Sequence, residues 1–323
     1  MSGLPERRFA HVEPTHGMAD LFHSLPRGAD PRFRTVRRGI SKTDGALEFS
    51  GPELGVDEQD ALLAILSAVC DAPRADDDEA DSLVEGLSGG GFDGETRAIH
   101  TSWEKIGAAM GVKERRAQVV AAQRAMTLLA KTDVRLVTKD RTSWFVRLVN
   151  WRQEGKDLIV VLNPAAAAVA AGAWAVVVPL EERKGMSDGA RILHARLCAW
   201  IKPRNSQTAA LDTLAGHVWR ETKSPSAMRR RLKQVQGFLN ELAEAGWGVK
   251  PVELADGRPG VKITRPGLPR EALPVREDGE MKRRDAIVAA IVAAIIMAVA
   301  VAVAWHGGLG QFLRMFVQRW GGG

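Results

Sequence analysis

The chain has 323 residues and 45% of them are hydrophobic, so it is long enough for two domains and too apolar to be a disordered tail. Lys and Arg number 45 against 39 Asp and Glu, which gives a net charge of +6, and 32 of the 45 cations are Arg. This balance favours a polyanionic partner, because the guanidinium fork matches phosphate and guanine edges. The sequence has no tyrosine, which excludes enzymes that join DNA through a phosphotyrosine.

The cysteine and histidine content predicts neither a metal site nor a cofactor site. Cys70 and Cys198 are too few for a disulfide framework or a zinc site, and they fit a reducing cytoplasm. No Cys or carboxylate cluster accompanies the first three histidines, which are His11, His16 and His23. Residues 1–10 are charged and lack the apolar core of a secretory signal, so we expect a cytoplasmic protein.

The first 45 residues are rich in Pro and Arg, which predicts an irregular basic arm. Residues 46–180 are predicted to form the first domain, beginning with a helix at 56–69. An acidic, Gly-rich stretch at 71–96 should be a solvated insertion. It has part of the spacing of a phosphate-binding loop, but Glu95 occupies the position of the required Lys and would repel a phosphate, so we expect no nucleotide site.

Residues 103–130 have the pattern of a helix-turn-helix. Gly107 is predicted to lie where the two helices touch, and Gly111 to supply the left-handed turn. The second helix is predicted to begin near Lys113. The apolar residues expected to be buried are Ile106, Met110, Val112, Ala117 and Val120.

Strand-like runs follow at 134–138, 144–151 and 158–162, with a turn at 139–141 between the first two. Three helices followed by a β-hairpin indicate a winged helix; the alternative is a generic α+β unit whose basic helix is merely solvated. The candidate DNA contacts of this domain are Lys113, Arg115, Arg116 and Arg141. A helix at 165–173, a strand at 174–178 and a charged inter-domain hinge at 181–185 are predicted next.

The same order of elements recurs in a predicted second domain at 187–266. Helices are expected at 187–200 and 208–219, and Ser224-Pro225 has the signature of a cap and first turn that opens a long helix to Ala245. Val235, Leu239 and Leu242 should form its inward face. Strands at 247–254 and 260–264 would form a second wing.

The cations of the chain are concentrated around the start of this long helix. Residues 202–234 hold eight cations against Asp212 and Glu221, and the N-terminal part of such a helix enters a major groove. Neighbouring helical residues differ by about 100°, so three consecutive Arg must divide between bases and phosphates. The candidate contacts are Lys223, Ser226, Arg229, Arg230, Arg231, Lys233, Gln234, Lys250, Arg258 and Lys262, and the wing also offers Arg265.

Short motifs spread over residues 48–266, and densest from 190 to 247, resemble the RepC replication initiators of IncQ-type plasmids. They include Leu162-Asn163-Pro164, Ala190-Arg191-Ile192-Leu193-His194, Leu211-Asp212-Thr213-Leu214, Gly246-Trp247 and Ile263-Thr264-Arg265-Pro266. The resemblance implies two tandem winged helices that bind direct repeats, called iterons, at an origin. It also implies that a separate plasmid helicase and primase are recruited to the opened DNA.

The predicted fold is therefore α+β, with two tandem winged-helix domains, a basic N-terminal arm and a C-terminal hydrophobic helix. The predicted function is non-enzymatic: binding of double-stranded iteron DNA, with self-association on the repeats. The main alternative is a winged-helix transcriptional regulator, tethered to the membrane if the C-terminal hydrophobic helix inserts. An enzyme of DNA processing is disfavoured because His100, His194 and His217 are scattered rather than clustered.

The C-terminal region departs from the family pattern. After a linker at 267–285, residues 286–304 contain no charged side chain, a length that matches the hydrocarbon core of a bilayer. They follow Lys282-Arg283-Arg284, so the segment is predicted to be a transmembrane helix that anchors the DNA-binding body to the inner face of the cell membrane. Residues 305–323 would be a short amphipathic tail.

Overall fold

The protein is a mixed α/β chain in which helices of 4 to 20 residues pack on small antiparallel sheets. The computed structural model describes residues 9–12, 21–25, 31–39, 46–69, 97–137, 143–162, 176–220, 222 and 224–268. Its helices are α1 (Val56–Val69), α2 (Trp103–Ala109), α3 (Arg115–Leu129), α4 (Leu180–Arg183), α5 (Asp188–Trp200), α6 (Leu211–Val218) and α7 (Pro225–Glu244).

The strands are short and pair antiparallel. They are β1 (Phe9–Val12), β2 (Phe33–Gly39), β3 (Ala46–Pro52), β4 (Arg97–Thr101), β5 (Asp133–Val137), β6 (Ser143–Arg147), β7 (Val149–Glu154), β8 (Asp157–Leu162), β9 (Val176–Pro179), β10 (Ser206–Ala210), β11 (Gly248–Glu253) and β12 (Pro259–Thr264). All the described residues fall within one compact unit of the chain, 1–273.

The first helix–sheet unit consists of α1, β4, α2, α3, β7 and β8, and its sheet has the order β4-β8-β7. Ser102 caps α2 by accepting a hydrogen bond from the backbone N–H of Lys105. A Cβ on Gly107 would lie 2.4 Å from the carbonyl oxygen of Gln118, and Gly111 has φ +85°. Both glycines therefore have the predicted roles, a close helix contact and a left-handed turn.

The second helix–sheet unit repeats this order of elements with α5, β10, α6, α7, β11 and β12, and its sheet has the equivalent order β10-β12-β11. The predicted recurrence is thus present in the structure. One detail of the prediction was wrong: residues 206–210 form strand β10, and the helix begins only at Leu211. The cause is pairing with β12, which a reading of local periodicity does not include.

The strand assignment of the first predicted wing was wrong. The hairpin β5–β6 does not join the sheet of the first unit; it extends a separate sheet of order β2-β3-β5-β6, with Phe49 opposite Val134. The run 144–151 is divided between β6 and β7, which lie in different sheets. The chain changes direction at the buried Leu148, whose N–H donates to the carbonyl of Thr132. The hairpin equivalent to β11–β12 is β7–β8, which turns at Gly155.

Two parts of the predicted basic arm are regular structure. Residues 9–12 form β1, which pairs with β9, and residues 33–39 form β2, which pairs with β3. The prediction of an irregular segment was wrong at these places because the partner of β1 is contributed by a distant part of the chain. The predicted hinge at 181–185 was also wrong, since it contains α4 and the buried Arg183.

The buried face of α3 consists of Ala122, Ala125, Met126 and Leu129. Val120 was predicted to join this core, but its exposed fraction is 61%. The helical period places Val120 on the side opposite the buried residues. The small Ala side chains allow α3 to pack closely, and periodicity alone did not identify them as the inward face.

Several predicted segments lie outside the described residues. They are the insertion at 71–96, the helix at 165–173, the greater part of the linker at 267–285, the span at 286–304 and the tail at 305–323. Among the helices that the structure does describe, none combines the length and apolar character needed to cross a bilayer.

Candidate nucleic-acid interface

Helix α7 is fixed at its start by its cap and along its length by its core face. The Oγ of Ser224 accepts a hydrogen bond from the N–H of Ala227, and Pro225 occupies the first turn. Val235, Leu239 and Leu242 are buried, as predicted. These contacts fix the orientation of the helix, and the opposite side of its N-terminal half faces solvent.

That solvent-facing side carries a group of exposed polar and cationic residues, here called the α7 basic face. Its members are Ser226, Arg229, Arg230, Lys233 and Gln234. Within the part of the chain that the structure describes, the side chains of the three cations have no hydrogen-bond or ion-pair partner. The helix N-terminus adds a partial positive charge from its free N–H groups, so this surface is suited to an anion.

Arg231 differs from its two neighbours. Its guanidinium lies 5.6 Å from the centroid of the Trp219 ring and donates a hydrogen bond to the carbonyl of Arg220. Partial burial, together with the charge of Arg230, lowers the pKa of Arg231 from its usual range. Its position indicates that the side chain packs the start of α7 against α6.

The outward face of the second unit's sheet adds two lysines. Lys250 of β11 and Lys262 of β12 are exposed and lie directly opposite each other, and Thr208 of β10 follows on the other side of Lys262. Like charges opposite one another on neighbouring strands are destabilising unless an anion lies between them. Thr208 was not predicted as part of this surface, because the sequence analysis placed it in a helix. The signal that indicates it is the alternation of exposed and buried residues along β12, the strand with which β10 pairs.

Arg258 lies in the turn between β11 and β12 and already has carboxylate partners. Its Nε is 2.7 Å from Oδ2 of Asp256, and its Nη1 is 2.9 Å from Oδ2 of Asp212. These carboxylates, Asp256 first, raise the pKa of Arg258 above its usual range. The net charge that this turn presents is therefore smaller than the sequence suggested.

The assignment of Arg265 to the wing surface was wrong. Its side chain is buried, and its guanidinium donates hydrogen bonds to the backbone carbonyls of Cys198, Ile201 and Val177. A guanidinium with three carbonyl acceptors is satisfied inside the protein. Arg265 therefore joins the end of β12 to α5 and β9 and has no surface to offer a ligand.

In the first unit, the candidate cations Lys113, Arg115 and Arg116 are exposed at the turn before α3 and in its first turn. Arg115 lies 3.5 Å from Glu104 of α2, an exposed pair that contributes little stability. The remaining two have no side-chain partner among the described residues. Two further candidates, Arg141 and Lys223, lie outside the described residues.

His194 belongs to a buried polar cluster rather than to the surface. Its Nε2 is 2.9 Å from Oε2 of Glu182, which also accepts a hydrogen bond from the Trp247 indole at 2.9 Å, and Cys198 Sγ is 3.7 Å from the same Nε2. Within the described ranges, no group of three or more His, Cys, Asp or Glu side chains has the arrangement of a metal site.

These observations define a mixed α/β protein built from two helix–sheet units of the same topology, each with exposed cations at the start of its last helix. The sequence profile of the Replication protein C (RepC) family matches residues 6–267. Because this match extends over more than half of the chain, the protein belongs to the RepC family of replication proteins. The family resemblance identified from the sequence motifs is thereby confirmed.

Two solved structures are similar to this chain. The crystal structure of selenomethionine derivatives of domains 2 and 3 of RctB has a TM-score of 0.53 and 14% sequence identity, and covers 79% of this chain and 99% of that one. A second crystal structure of the same RctB domains has a TM-score of 0.48 and 13% identity, covering 78% and 96%. Similarity at this identity concerns the fold alone. No curated protein sequence matches the chain.

Proposed function

We propose that this protein initiates plasmid replication by binding repeated sequences at the origin with two winged-helix units. Each unit has the order helix, strand, helix, helix, strand, strand, with the first strand paired to the last, and in the first unit β5 and β6 are inserted before the last two strands. This order is that of a helix-turn-helix followed by a hairpin wing. Membership in a family of replication proteins supports the biological setting.

The observation that carries the proposal is the α7 basic face, whose cations have no protein partner within the described ranges. A helix N-terminus with exposed Arg and Lys fits the major groove, where Arg reads guanine and Lys neutralises phosphates. Ser226 and Gln234 supply neutral hydrogen-bonding groups beside them. The positive charges of Lys250 and Lys262, which lie opposite each other, repel one another. A DNA phosphate bound between them would offset that repulsion.

In this proposal the protein acts by binding, without a catalytic step of its own. Phosphate contacts give affinity, and side chains on α3 and α7 give sequence recognition. Several copies bound side by side on the repeats would strain the duplex, and an adjacent A·T-rich segment would open first. The exposed single strands would then receive the plasmid helicase and primase, a step that rests on the family relationship alone.

The DNA-binding proposal is tested by salt titration on a duplex that contains the repeats. Each phosphate neutralised by a cation lowers the slope of log K against log salt by about 0.9. We expect a steep negative slope for the natural protein. Substitution of Lys233 by Ala should make the slope less negative by about 1, whereas Lys184→Ala, which removes an equal charge from the end of α4, should leave it unchanged. A slope near zero for the natural protein would contradict the proposal.

Initiation is tested separately from binding. A plasmid that carries the origin and supplies the helicase and primase should replicate only when this gene is intact. Binding to repeats together with repression of a promoter, and without support of replication, would instead identify a transcriptional regulator. Deoxyribonuclease footprints at regular spacing over the repeats are expected if copies bind side by side.

The predicted membrane anchor at 286–304 remains a prediction from composition. Cell fractionation of the full chain and of a version ending at Arg276 tests whether this segment inserts into a membrane. Recovery of the full chain in the membrane fraction, and of the shortened chain outside it, is expected if the segment inserts. Recovery of both outside the membrane fraction would show that it does not insert.

A further inference from the structure

An exposed valine lies at the centre of the solvent-facing side of α3. Val120 has an exposed fraction of 61%, and among the described residues the other large apolar side chain of comparable exposure is Phe33. A β-branched residue lowers helix propensity relative to Ala. Val120 thus improves neither the helix nor the core, and its apolar surface is available for contact with a partner.

The surroundings of Val120 show which partner fits. Arg116 lies one turn before it on the same face, and Lys113 and Arg115 are exposed just ahead of the helix and at its first position. Arg124, one turn after Val120, is close enough to the acidic start of α1 to act electrostatically on Asp57 and Glu58. Positive charge is therefore concentrated on the N-terminal side of Val120.

This arrangement favours a polyanion that also offers a small apolar group. The major groove of DNA has one such group, the C5-methyl of thymine, which sits among hydrogen-bonding base edges. A site that binds another protein usually contains a larger apolar patch. Here a single apolar side chain is surrounded by three exposed polar residues, Arg116, Gln123 and Arg124.

We propose that Val120 contacts the methyl group of a thymine when α3 enters the major groove, and so contributes sequence specificity to the first unit. The proposal rests on the proposed function, because it requires DNA binding by this unit. It adds a specific base and a specific side chain that the cationic residues alone do not define. Arg116 would contact the flanking phosphates and place Val120 over the base.

The test uses an origin repeat duplex in which each thymine in turn is replaced by uracil, a change that removes only the methyl group. Loss of one buried methyl corresponds to an affinity decrease of about fourfold. We expect the natural protein to lose about this factor at one thymine in each repeat. We expect Val120→Ala to bind the unmodified repeat about as weakly as the natural protein binds the uracil duplex, and to be insensitive to uracil at that position.

Gln123→Ala is the matched control, because it shortens an exposed neighbour on the same helix face. It should retain the full uracil effect. Val120→Ser, which removes both γ-methyl groups, provides a second variant if Val120→Ala unfolds at a lower temperature. Sensitivity to uracil that persists unchanged in both Val120 variants would overturn the proposal, as would specific binding by the natural protein that is indifferent to every uracil. Absence of any binding to origin DNA would instead overturn the proposed function itself.

Discussion

The guanidinium of Arg183 and the carboxylate of Asp60 form a buried ion pair, with Nη2 2.5 Å from Oδ1. The second oxygen of Asp60 accepts from Arg191, and Arg183 also donates to the backbone carbonyl of Arg191 at 2.6 Å. Asp60 lies in α1, Arg183 in α4 and Arg191 in α5. A single carboxylate therefore links the first helix–sheet unit to the second.

Replacement of Asp60 by Ala should strongly destabilise the protein. The change leaves two guanidinium groups without their shared carboxylate, and loss of one partner from a buried pair costs about 3–5 kcal/mol. The measurement is the free energy of unfolding in urea. Asp188→Ala removes a half-exposed partner of the same Arg191 and should cost about 1 kcal/mol or less. Equal effects of the two substitutions would show that Asp60 has no special role.

Arg230→Ala and Arg231→Ala should affect different properties although the residues are adjacent. Arg230 is exposed on the α7 basic face, so its loss should weaken specific DNA binding by about 1–3 kcal/mol if it reads a base, with unfolding unchanged. Arg231 packs on Trp219, so its loss should lower the unfolding midpoint. Equal losses on repeat and random DNA for Arg230→Ala would show that it contacts phosphate only.

The parts of the fold that sequence reasoning predicted best are those fixed by local chemistry. The start of α7 follows from a Ser cap and a Pro in the first turn, and the contact at Gly107 follows from the absence of a side chain. Both signals lie within a few residues of the feature they determine. The α7 basic face was predictable for the same reason, since the helical period and the cap together define which side is exposed.

The parts that sequence reasoning missed depend on pairing with distant residues. Strand β4 has one large apolar residue, Ile99, and β10 has none, and they are strands because β8 and β12 provide their hydrogen-bond partners. Arg265 has the composition of a surface residue, but three backbone carbonyls from other elements satisfy it inside the protein. Neither the formation of strands β4 and β10 nor the burial of Arg265 can be predicted from the neighbouring residues in the sequence.

Gly107→Ala should destabilise the first unit because the added Cβ would meet the backbone of Gln118 at 2.4 Å, and backbone atoms cannot move aside as a flexible side chain can. We expect a loss of about 1–3 kcal/mol from overpacking, measured by thermal or urea unfolding. Gly216→Ala is a suitable control, since it is also helical and a Cβ there meets nothing within 4 Å. The control should be neutral or slightly stabilising.

The buried cluster of His194 and Glu182 should make stability depend on pH. Burial alone would lower the pKa of His194, but contacts with Cys198 and Glu182 outweigh it and raise that pKa above 6.5. Burial likewise acts to raise the pKa of Glu182, but the hydrogen bond and charge of His194 lower it below 4.5. The folded protein therefore holds a proton on His194 and a charge on Glu182 over a wider pH range than the unfolded chain does.

The sign of the pH dependence follows from linkage. The raised pKa of His194 contributes stability that is complete below 6.5 and is lost as pH rises through the folded pKa; the lowered pKa of Glu182 contributes stability that is lost as pH falls below 4.5. Urea midpoints measured from about pH 4 to about pH 9 should thus decline on the alkaline side. His194→Gln should remove this decline, while His100→Gln, which changes an exposed histidine, should preserve it. An alkaline decline of the same size in His194→Gln would assign the effect to another group.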